Sequence, residues 1–254
     1  MTTRKILVEK SSPVTTVIIN RPEVRNALDI EAMELLTSAF RDFEADAKAQ
    51  VAVLWGAGGA FCSGADLKEL AGGRRYQPWA GSSEGLLGKP LSKPVIAAVA
   101  GYACAGGLGL ALWCDIRIAE ESAAFAVLSR RWGVPMSDGT TVRLPRLIGM
   151  ARALDMMLTG RKVGVVDAER MGLVSRVVSD GRSRQDAEEL AHQIAAFPQI
   201  AMRSDRRSVY EQDGNPLAVA IMREAELSLE ARRVEAERGA QQFASGAGRH
   251  GKVS

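Results

Sequence analysis

Residues 94–113 read PVIAAVAGYACAGGLGLALW, in which an apolar run gives way to small residues and then to helical spacing. The first part, PVIAAVA, has the length and β-branched content of a buried strand. It stops at Gly101, and the small residues that follow form a turn. A helix is predicted from Gly106 to Trp113. This stretch therefore indicates one strand–turn–helix unit.

The preceding part of the chain has the same plan. Residues 51–55 (VAVLW) form a short apolar run, residues 56–64 are rich in glycine, and helical spacing begins at Ala65. Further upstream, Val14–Ile19 is a β-branched strand, and a helix with an apolar stripe follows Asp29, its predicted N-cap. Strands that alternate with helices predict a layered α/β fold with parallel pairing.

Two segments depart from this alternation. Residues 71–93 are rich in Gly, Pro, Ser and charge, and we expect a mobile surface segment there. From Asp186 onward the strand patterns vanish and helical stretches take over. The sequence thus predicts a mixed core over residues 1–185 and a helical region over residues 186–254.

Composition excludes several classes of protein. The 254 residues are 46% hydrophobic and carry a net charge of +3 that is spread along the chain, so neither disorder nor a nucleic-acid partner is expected. The three cysteines lack CxxC spacing and a nearby histidine, which argues against zinc, any other metal site or a disulfide scaffold. No targeting or membrane segment is visible, and a reducing cytoplasm is the expected location.

The two turns that lead into helices can carry chemistry. Backbone amides at a helix start are unpaired, and small residues let a polarised oxygen approach them. If the two strands are neighbours, the amides of Ala65 and Gly106 can converge on one oxygen as an oxyanion hole, the arrangement that acyl chemistry requires. The alternative is that these glycines only relieve crowding at tight turns.

A series of motifs resembles the enoyl-CoA hydratase/isomerase (crotonase) family over roughly residues 5–180. The motifs are RPEVRNAL at 21–28, FCSGADLKEL at 61–70, KPVIAAVAGY at 93–102, LWCDI at 112–116, LTGR at 158–161 and GLV at 172–174. The resemblance implies an α/β, crotonase-type spiral of ββα units with a C-terminal helical region that builds homotrimers, often paired into hexamers.

The resemblance also implies a substrate and its site. Acyl-CoA thioesters are the expected substrates, and coenzyme A is then part of the substrate, with no separate cofactor. The thioester oxygen is held by the amides of Ala65 and Gly106. Coenzyme A is expected at a set of residues that belong to the first two motifs: Arg25, Ala27, Ala65, Asp66, Leu67 and Lys68. Arg25 and Lys68 suit phosphates, although both could equally be solvated surface charges.

The sequence departs from this family at both catalytic glutamates. One glutamate positions water and lies three residues after the oxyanion glycine, where this chain has Gly109. The other passes a proton to the α-carbon, and its position is occupied by Ser129. Because a positioned acid or base contributes about 10²–10⁴-fold to a rate, ordinary two-glutamate hydration is in doubt.

Asp138 is the candidate replacement, in a loop that follows the position of the second missing glutamate. Some family members, such as the aroyl-CoA dehalogenases, take a nucleophilic aspartate from this neighbourhood, although Asp138 is one residue out of register with it. A desolvated aspartate can act as base or nucleophile, whereas the alternative is an ordinary Asp-Gly turn. Arg130 and Arg131 follow Ser129, and one of them could face an anionic substrate group.

Several functions remain open at this point. The favoured hypothesis is a hydratase/isomerase-type enzyme with Asp138 as acid/base. The alternatives are a catalytically silent acyl-CoA-binding homologue and a CoA-thioester isomerase or hydrolase. A serine peptidase is disfavoured because no histidine precedes His192. A dinucleotide-binding enzyme is disfavoured because residues 56–59 lack the G-x-G-x-x-G spacing.

Overall fold

The structure is a computed structural model that describes residues 4–73, 77–81 and 85–245. The strands within these ranges are β1 (Ile6–Ser11), β2 (Val14–Ile19), β3 (Val51–Gly56), β4 (Val95–Val99), β5 (Tyr102–Cys104), β6 (Ile116–Glu120), β7 (Ala124–Ala126), β8 (Val163–Gly164) and β9 (Arg176–Val178). The α-helices are α1 (Ile30–Ala45), α2 (Leu67–Ala71), α3 (Gly106–Trp113), α4 (Thr140–Ile148), α5 (Met150–Thr159), α6 (Val165–Arg170), α7 (Ser183–Ala195), α8 (Gln199–Glu211), α9 (Leu217–Ala231) and α10 (Glu237–Ala244).

Most of the strands form one six-stranded sheet in the order β1-β2-β3-β4-β6-β9. Strands β1 and β2 pair antiparallel, and every later pair in this sheet is parallel. Strand β4 is buried along its whole length, as expected for a parallel strand that is covered on both faces. The predicted α/β class with parallel pairing is confirmed, and β3 and β4 are neighbours as the oxyanion-hole hypothesis required.

A second, three-stranded sheet has the order β5-β7-β8. Strand β5 occupies residues for which the sequence predicted a turn, and it pairs in parallel with β7. Strand β9 begins only at Arg176, because the Leu173 amide donates to the Ala168 carbonyl (2.8 Å) and continues the turn after α6.

Helices α1 and α3 pack together beneath the main sheet. The Asp29 carboxylate accepts a hydrogen bond from the Ala32 amide (2.8 Å), which confirms Asp29 as the N-cap of α1. Phe40 of α1 meets Trp113 of α3 edge-to-face, with ring centroids 5.0 Å apart. At this same end of α3, the Arg117 guanidinium donates to the carbonyl of Cys114 (2.7 Å), the residue that follows Trp113. Helix α3 is thereby held at its C-terminus.

The chain divides into two compact units, Met1–Ile194 and Ala195–Ser254. The division therefore falls later than the 185/186 boundary expected from the sequence. Helix α7 belongs almost wholly to the first unit, where it buries Ala187, Leu190 and Ala191. The first unit contains the residues that the sequence singled out for chemistry.

The second unit is helical, as predicted for this part of the chain. Helices α8 and α9 are joined by a hydrogen bond from the Ser204 hydroxyl to the Leu227 carbonyl (2.8 Å). The Glu235 carboxylate accepts from the Ile200 and Ala201 amides (3.1 and 2.8 Å) and caps the N-terminus of α8. Within the described ranges, no helix is both long and apolar enough to cross a bilayer.

Candidate functional site

The two turns singled out by the sequence lie side by side. The Cys104 amide donates to the Cys62 carbonyl (3.0 Å), which joins the segment after β3 to strand β5. A β-carbon built on Gly64 would lie only 3.0 Å from the Gly106 nitrogen. Gly64 also has a φ of +103°, a backbone conformation that favours glycine. A larger residue at this position would push the two turns apart.

The amides of Ala65 and Gly106 are available at this junction. The Gly64 carbonyl accepts from the Leu28 amide (2.8 Å) and the Asp66 amide donates to the Leu28 carbonyl (2.9 Å), so the intervening Ala65 N–H points away from Leu28. Gly106 is the first residue of α3. Neither amide donates to a protein acceptor within the described residues. The two nitrogens are no more than about 7 Å apart, and two donors that share one oxygen lie at most about 6 Å apart, so this junction allows the two amides to share an oxygen.

A cavity of about 510 Å³ opens in front of these amides. We call it the main cavity. Nearly all the residues that the sequence proposed for chemistry or for coenzyme A line it: Arg25, Ala27, Ala65, Asp66, Leu67, Lys68, Gly106, Ser129 and Asp138. Gly109 does not line the cavity, and neither Arg130 nor Arg131 does.

Gly109 is covered by the side chain of Asp138. A β-carbon built on Gly109 would lie 2.5 Å from the Asp138 Cγ and 2.7 Å from its Oδ2. Any side chain at position 109 would therefore collide with the carboxyl group. The loop before α4 thus places the Asp138 carboxyl group in the space that a side chain at position 109 would occupy.

The Asp138 carboxyl group is almost completely buried, with 2% of the residue exposed. Its Oδ1 accepts a hydrogen bond from the Thr140 amide (2.9 Å). Burial raises the pKa of Asp138 above its ordinary value, although the donation from Thr140 and the charge of Arg143 act in the opposite direction. The Arg143 guanidinium also donates to the Asp138 carbonyl (3.1 Å), which fixes the backbone of the loop. Both the Asp-Gly turn and the buried carboxyl group are therefore present.

Ser129 lines the main cavity at the position of the second missing glutamate. Its hydroxyl group donates to the Met136 sulfur (3.3 Å) on one wall of the main cavity. Arg130 and Arg131 are exposed, and the Arg130 Nε donates to the Met157 carbonyl (3.2 Å). An inward arginine required an extended segment with alternating faces, or else the pair would lie in solvent or at a subunit contact. Residues Leu128–Trp132 form a 3-10 helix instead.

Another part of the main cavity is lined by four charged residues, the cations Arg25 and Lys68 and the carboxylates Glu23 and Asp66. Arg25 and Lys68 are both exposed there. Arg21 stabilises this part of the cavity wall, a role that the sequence did not indicate. Its guanidinium lies 3.0 Å from Asp29 and 3.2 Å from Asp66, and it also donates to the Ala27 carbonyl. The sequence feature that could have indicated Arg21 is its position within RPEVRNAL, the first of the motifs that resemble the family.

Trp79 is a cavity-lining residue that the sequence patterns did not indicate. It lies in the segment predicted to be a mobile surface element, yet it is only 6% exposed and lines the main cavity. Leu86 and Leu87 of the same segment are also buried. The prediction of a surface segment is wrong for these residues, and the parts of it at 74–76 and 82–84 lie outside the described residues.

The site does not resemble a metal centre. Across the described ranges, no group of three or more His, Cys, Asp or Glu side chains is placed to hold a metal ion. The cysteines Cys62, Cys104 and Cys114 are all buried as free thiols. Burial raises the pKa of the Cys62 thiol to about 12, so it is protonated at neutral pH and unsuited to nucleophilic attack.

Comparison with known proteins agrees with this geometry. The family model for enoyl-CoA hydratase/isomerase matches residues 9–246. The chain is 38% identical over 217 residues to the enoyl-CoA hydratase EchA19 of Mycobacterium tuberculosis, covering 83% of this chain and 82% of that protein. It is 39% identical over 201 residues to a probable enoyl-CoA hydratase of Rhizobium meliloti, covering 78% and 77%.

Solved structures give the same result for the fold. A crystal structure of enoyl-CoA hydratase from Mycobacterium tuberculosis superposes with a TM-score of 0.89 at 32% identity, covering 95% of this chain and 96% of the other. The enoyl-CoA hydratase from Bacillus anthracis gives 0.86 at 30% identity with the same coverage. The fold is therefore the crotonase fold predicted from the motifs, and the chain belongs to the enoyl-CoA hydratase/isomerase family.

Proposed function

We propose that this protein acts on acyl-CoA thioesters, with the amides of Ala65 and Gly106 as oxyanion donors and Asp138 as the acid/base group. The observation that carries the proposal is the position of the Asp138 carboxyl group, 2.5 Å from a β-carbon built on Gly109. A carboxyl group thus stands beside α3 although residue 109 has no side chain. Asp138 and both amide-bearing residues line one cavity.

Hydration of a 2-enoyl thioester is the reaction that the named relatives favour. The Asp138 carboxylate takes a proton from water, and the hydroxyl oxygen forms a bond to the β-carbon. The double-bond electrons move to the thioester oxygen, where two N–H donors stabilise the enolate. Asp138 then returns the proton to the α-carbon, which restores the carbonyl group and leaves a 3-hydroxyacyl thioester. One carboxyl group therefore suffices for both proton transfers.

The environment of Asp138 suits this cycle. Burial raises its pKa, which brings it towards the working pH, where an acid/base group transfers protons most effectively. The Thr140 amide holds one carboxyl oxygen, Oδ1, at 2.9 Å. This hydrogen bond fixes the orientation of the carboxyl group.

Coenzyme A is proposed to enter the main cavity past Arg25 and Lys68. Arg25 and Lys68 are exposed there and offer positive charge to the phosphates. Ala27, Asp66 and Leu67 line the wall between them and the amide pair. The ion pair between Arg21 and Asp66 neutralises the carboxylate that would otherwise repel the phosphates.

Incubation with a panel of CoA thioesters in D₂O, followed by mass spectrometry, tests the proposal. We expect a 2-enoyl-CoA to gain the mass of one D₂O, and Asp138→Asn to slow this gain about 10²–10⁴-fold. Asp155→Asn is the matched control, because Asp155 is a half-exposed carboxylate that pairs with Arg161 outside the cavity. Full activity of Asp138→Asn would refute the role of Asp138.

The same experiment separates the alternatives. Deuterium at the α-carbon without addition of water would identify an isomerase, and free coenzyme A would identify a thioesterase. The absence of glutamates at positions 109 and 129 favours a second candidate, a catalytically silent acyl-CoA-binding protein. That candidate predicts thermal stabilisation by acyl-CoA with no change of mass in any thioester.

The assembly and location of the protein are also proposals. A homotrimer, or a hexamer of two trimers, is supported by large apolar side chains that are exposed on α9, among them Leu217 (76%), Met222 (66%) and Leu229 (65%). The three buried free thiols are in keeping with a cytoplasmic location.

A further inference from the structure

A second cavity of about 320 Å³ lies next to the main cavity, between α1, α2 and the segment that contains Trp79. The two cavities share three lining residues, which are Ala65, Asp66 and Trp79. Ala65 and Asp66 belong to the turn that begins α2, and their side chains are small. The indole of Trp79 is therefore the only large side chain that both cavities share.

The indole of Trp79 packs directly against the turn that contains Gly106. A β-carbon built on Gly106 would lie 2.3 Å from Trp79 Cζ3 and 2.7 Å from Cη2, so the ring packs on the Gly106 α-carbon. The peptide group that joins Trp79 to Ala80 is anchored at both its carbonyl and its amide. The Trp79 carbonyl accepts from the Leu87 amide (2.9 Å), and the Ala80 amide donates to the Ser137 carbonyl (3.1 Å). Trp79 is thus a fixed wall.

The second cavity can receive an alkyl chain. Its apolar lining includes Leu28, Met33, Leu70 and Leu86, and its volume falls in the range of ligand pockets. Three of the four carboxylates that line it, all except Glu34, have partners. Asp29 and Asp66 both pair with the Arg21 guanidinium, and Glu69 accepts from the Ile30 amide (2.7 Å).

We propose that Trp79 limits the length of the acyl chain, by closing the passage from the thioester position to the second cavity. This inference rests on the proposed function, since it places an acyl group in the main cavity beside Gly106. The wild-type protein then binds short acyl groups, and removal of the indole lets longer alkyl chains continue between α1 and α2. Each additional methylene buried there raises the affinity about fourfold.

Binding of saturated acyl-CoA thioesters tests this inference without any turnover. Affinities of butanoyl-, octanoyl- and decanoyl-CoA are measured by calorimetry for wild type, Trp79→Ala, Trp79→Leu and Trp79→Phe. In Trp79→Ala we expect the ratio of decanoyl to butanoyl affinity to rise at least tenfold, with a smaller rise in Trp79→Leu. Trp79→Phe retains an aromatic wall and should stay within about threefold of wild type.

A double variant checks where the longer chain goes. Thr37 lies on α1 and lines only the second cavity, so Thr37→Trp fills that space from the far side. Trp79→Ala/Thr37→Trp should lose the gain for decanoyl-CoA and keep the affinity for butanoyl-CoA. Thr37→Trp alone should leave the wild-type ratio unchanged.

The outcomes separate this inference from the proposed function. If butanoyl-CoA binds wild type but neither Trp79→Ala nor Trp79→Leu changes the chain-length ratio, Trp79 is not the limit and the inference is refuted. The same holds if the gain survives Thr37→Trp. If no acyl-CoA binds any variant that unfolds with a normal cooperative transition, the proposed function itself fails.

Discussion

Gly109→Ala is the most direct test of the contact between α3 and Asp138. The added methyl carbon would lie 2.5 Å from the Asp138 Cγ, so the carboxyl group must retreat by about 1 Å to reach ordinary van der Waals contact. A displacement of that size at a reacting group costs about 10²-fold in rate. Overpacking costs about 1–3 kcal/mol, against a gain of about 1 kcal/mol from replacing a helical glycine. The free energy of unfolding should therefore fall by about 0–2 kcal/mol.

A double-mutant cycle with Asp138→Gly isolates the contact. Once the Asp138 side chain is removed, Gly109→Ala should stabilise the protein by about 1 kcal/mol, which gives a coupling energy of about 1–3 kcal/mol. Urea unfolding measures the four stabilities, and loss of enoyl-thioester absorbance measures kcat/KM. Gly239→Ala is the control, because Gly239 lies within α10 with no atom within 4 Å of its added β-carbon. Wild-type activity in Gly109→Ala, or a coupling energy near zero, would refute the reasoning.

Three further predictions concern the same cavity. Because the pKa of Asp138 is raised in the folded protein, its carboxyl group keeps a proton to higher pH there than in the unfolded chain. Asp138→Asn should therefore be more stable than wild type at pH 7, and this advantage should vanish below about the ordinary Asp value of 3.8. Melting temperatures measured across pH test this prediction. Gly106→Ala places a carbon 2.3 Å from the Trp79 ring and should lower the free energy of unfolding by about 1–3 kcal/mol, a loss that Trp79→Ala should largely relieve in urea titrations. Lys68→Ala should raise KM for acyl-CoA several-fold with kcat unchanged, and the effect should shrink in high salt; an equal effect on an acyl-pantetheine substrate without the nucleotide would contradict a phosphate contact.

The elements with strong local patterns were the ones that the sequence predicted well. Strands β3 and β4 are uninterrupted apolar runs that end at glycine, and α1 has both an apolar stripe and an Asp N-cap. Strands β5 and β8 are only three and two residues long, which is too short for any periodicity to register. Helix α4 was missed because it contains Pro145, and an internal proline argues against a helix.

The candidate site was predictable to the extent that its residues belong to motifs. Small residues before a helix indicated the amides of Ala65 and Gly106, and the departures from the family pattern directed attention to Asp138. The contact between Asp138 and Gly109 could not be predicted from the sequence, because it depends on how a loop packs against a helix that is distant along the chain. Trp79 was missed because the polar composition around it concealed a buried aromatic residue.

The Arg143 guanidinium links the loop that contains Asp138 to the segment that contains Leu87 and Trp79. It donates to the Asp138 carbonyl (3.1 Å) on one side and to the Leu87 carbonyl (2.5 Å) on the other, and the Leu87 amide in turn holds the Trp79 carbonyl. With the roles proposed above for Asp138 and Trp79, a single cation links proton transfer to substrate size. Under that proposal, remodelling the backbone near Leu87 to broaden the substrate range should also disturb proton transfer, whereas trimming the indole alone leaves both bonds of Arg143 in place.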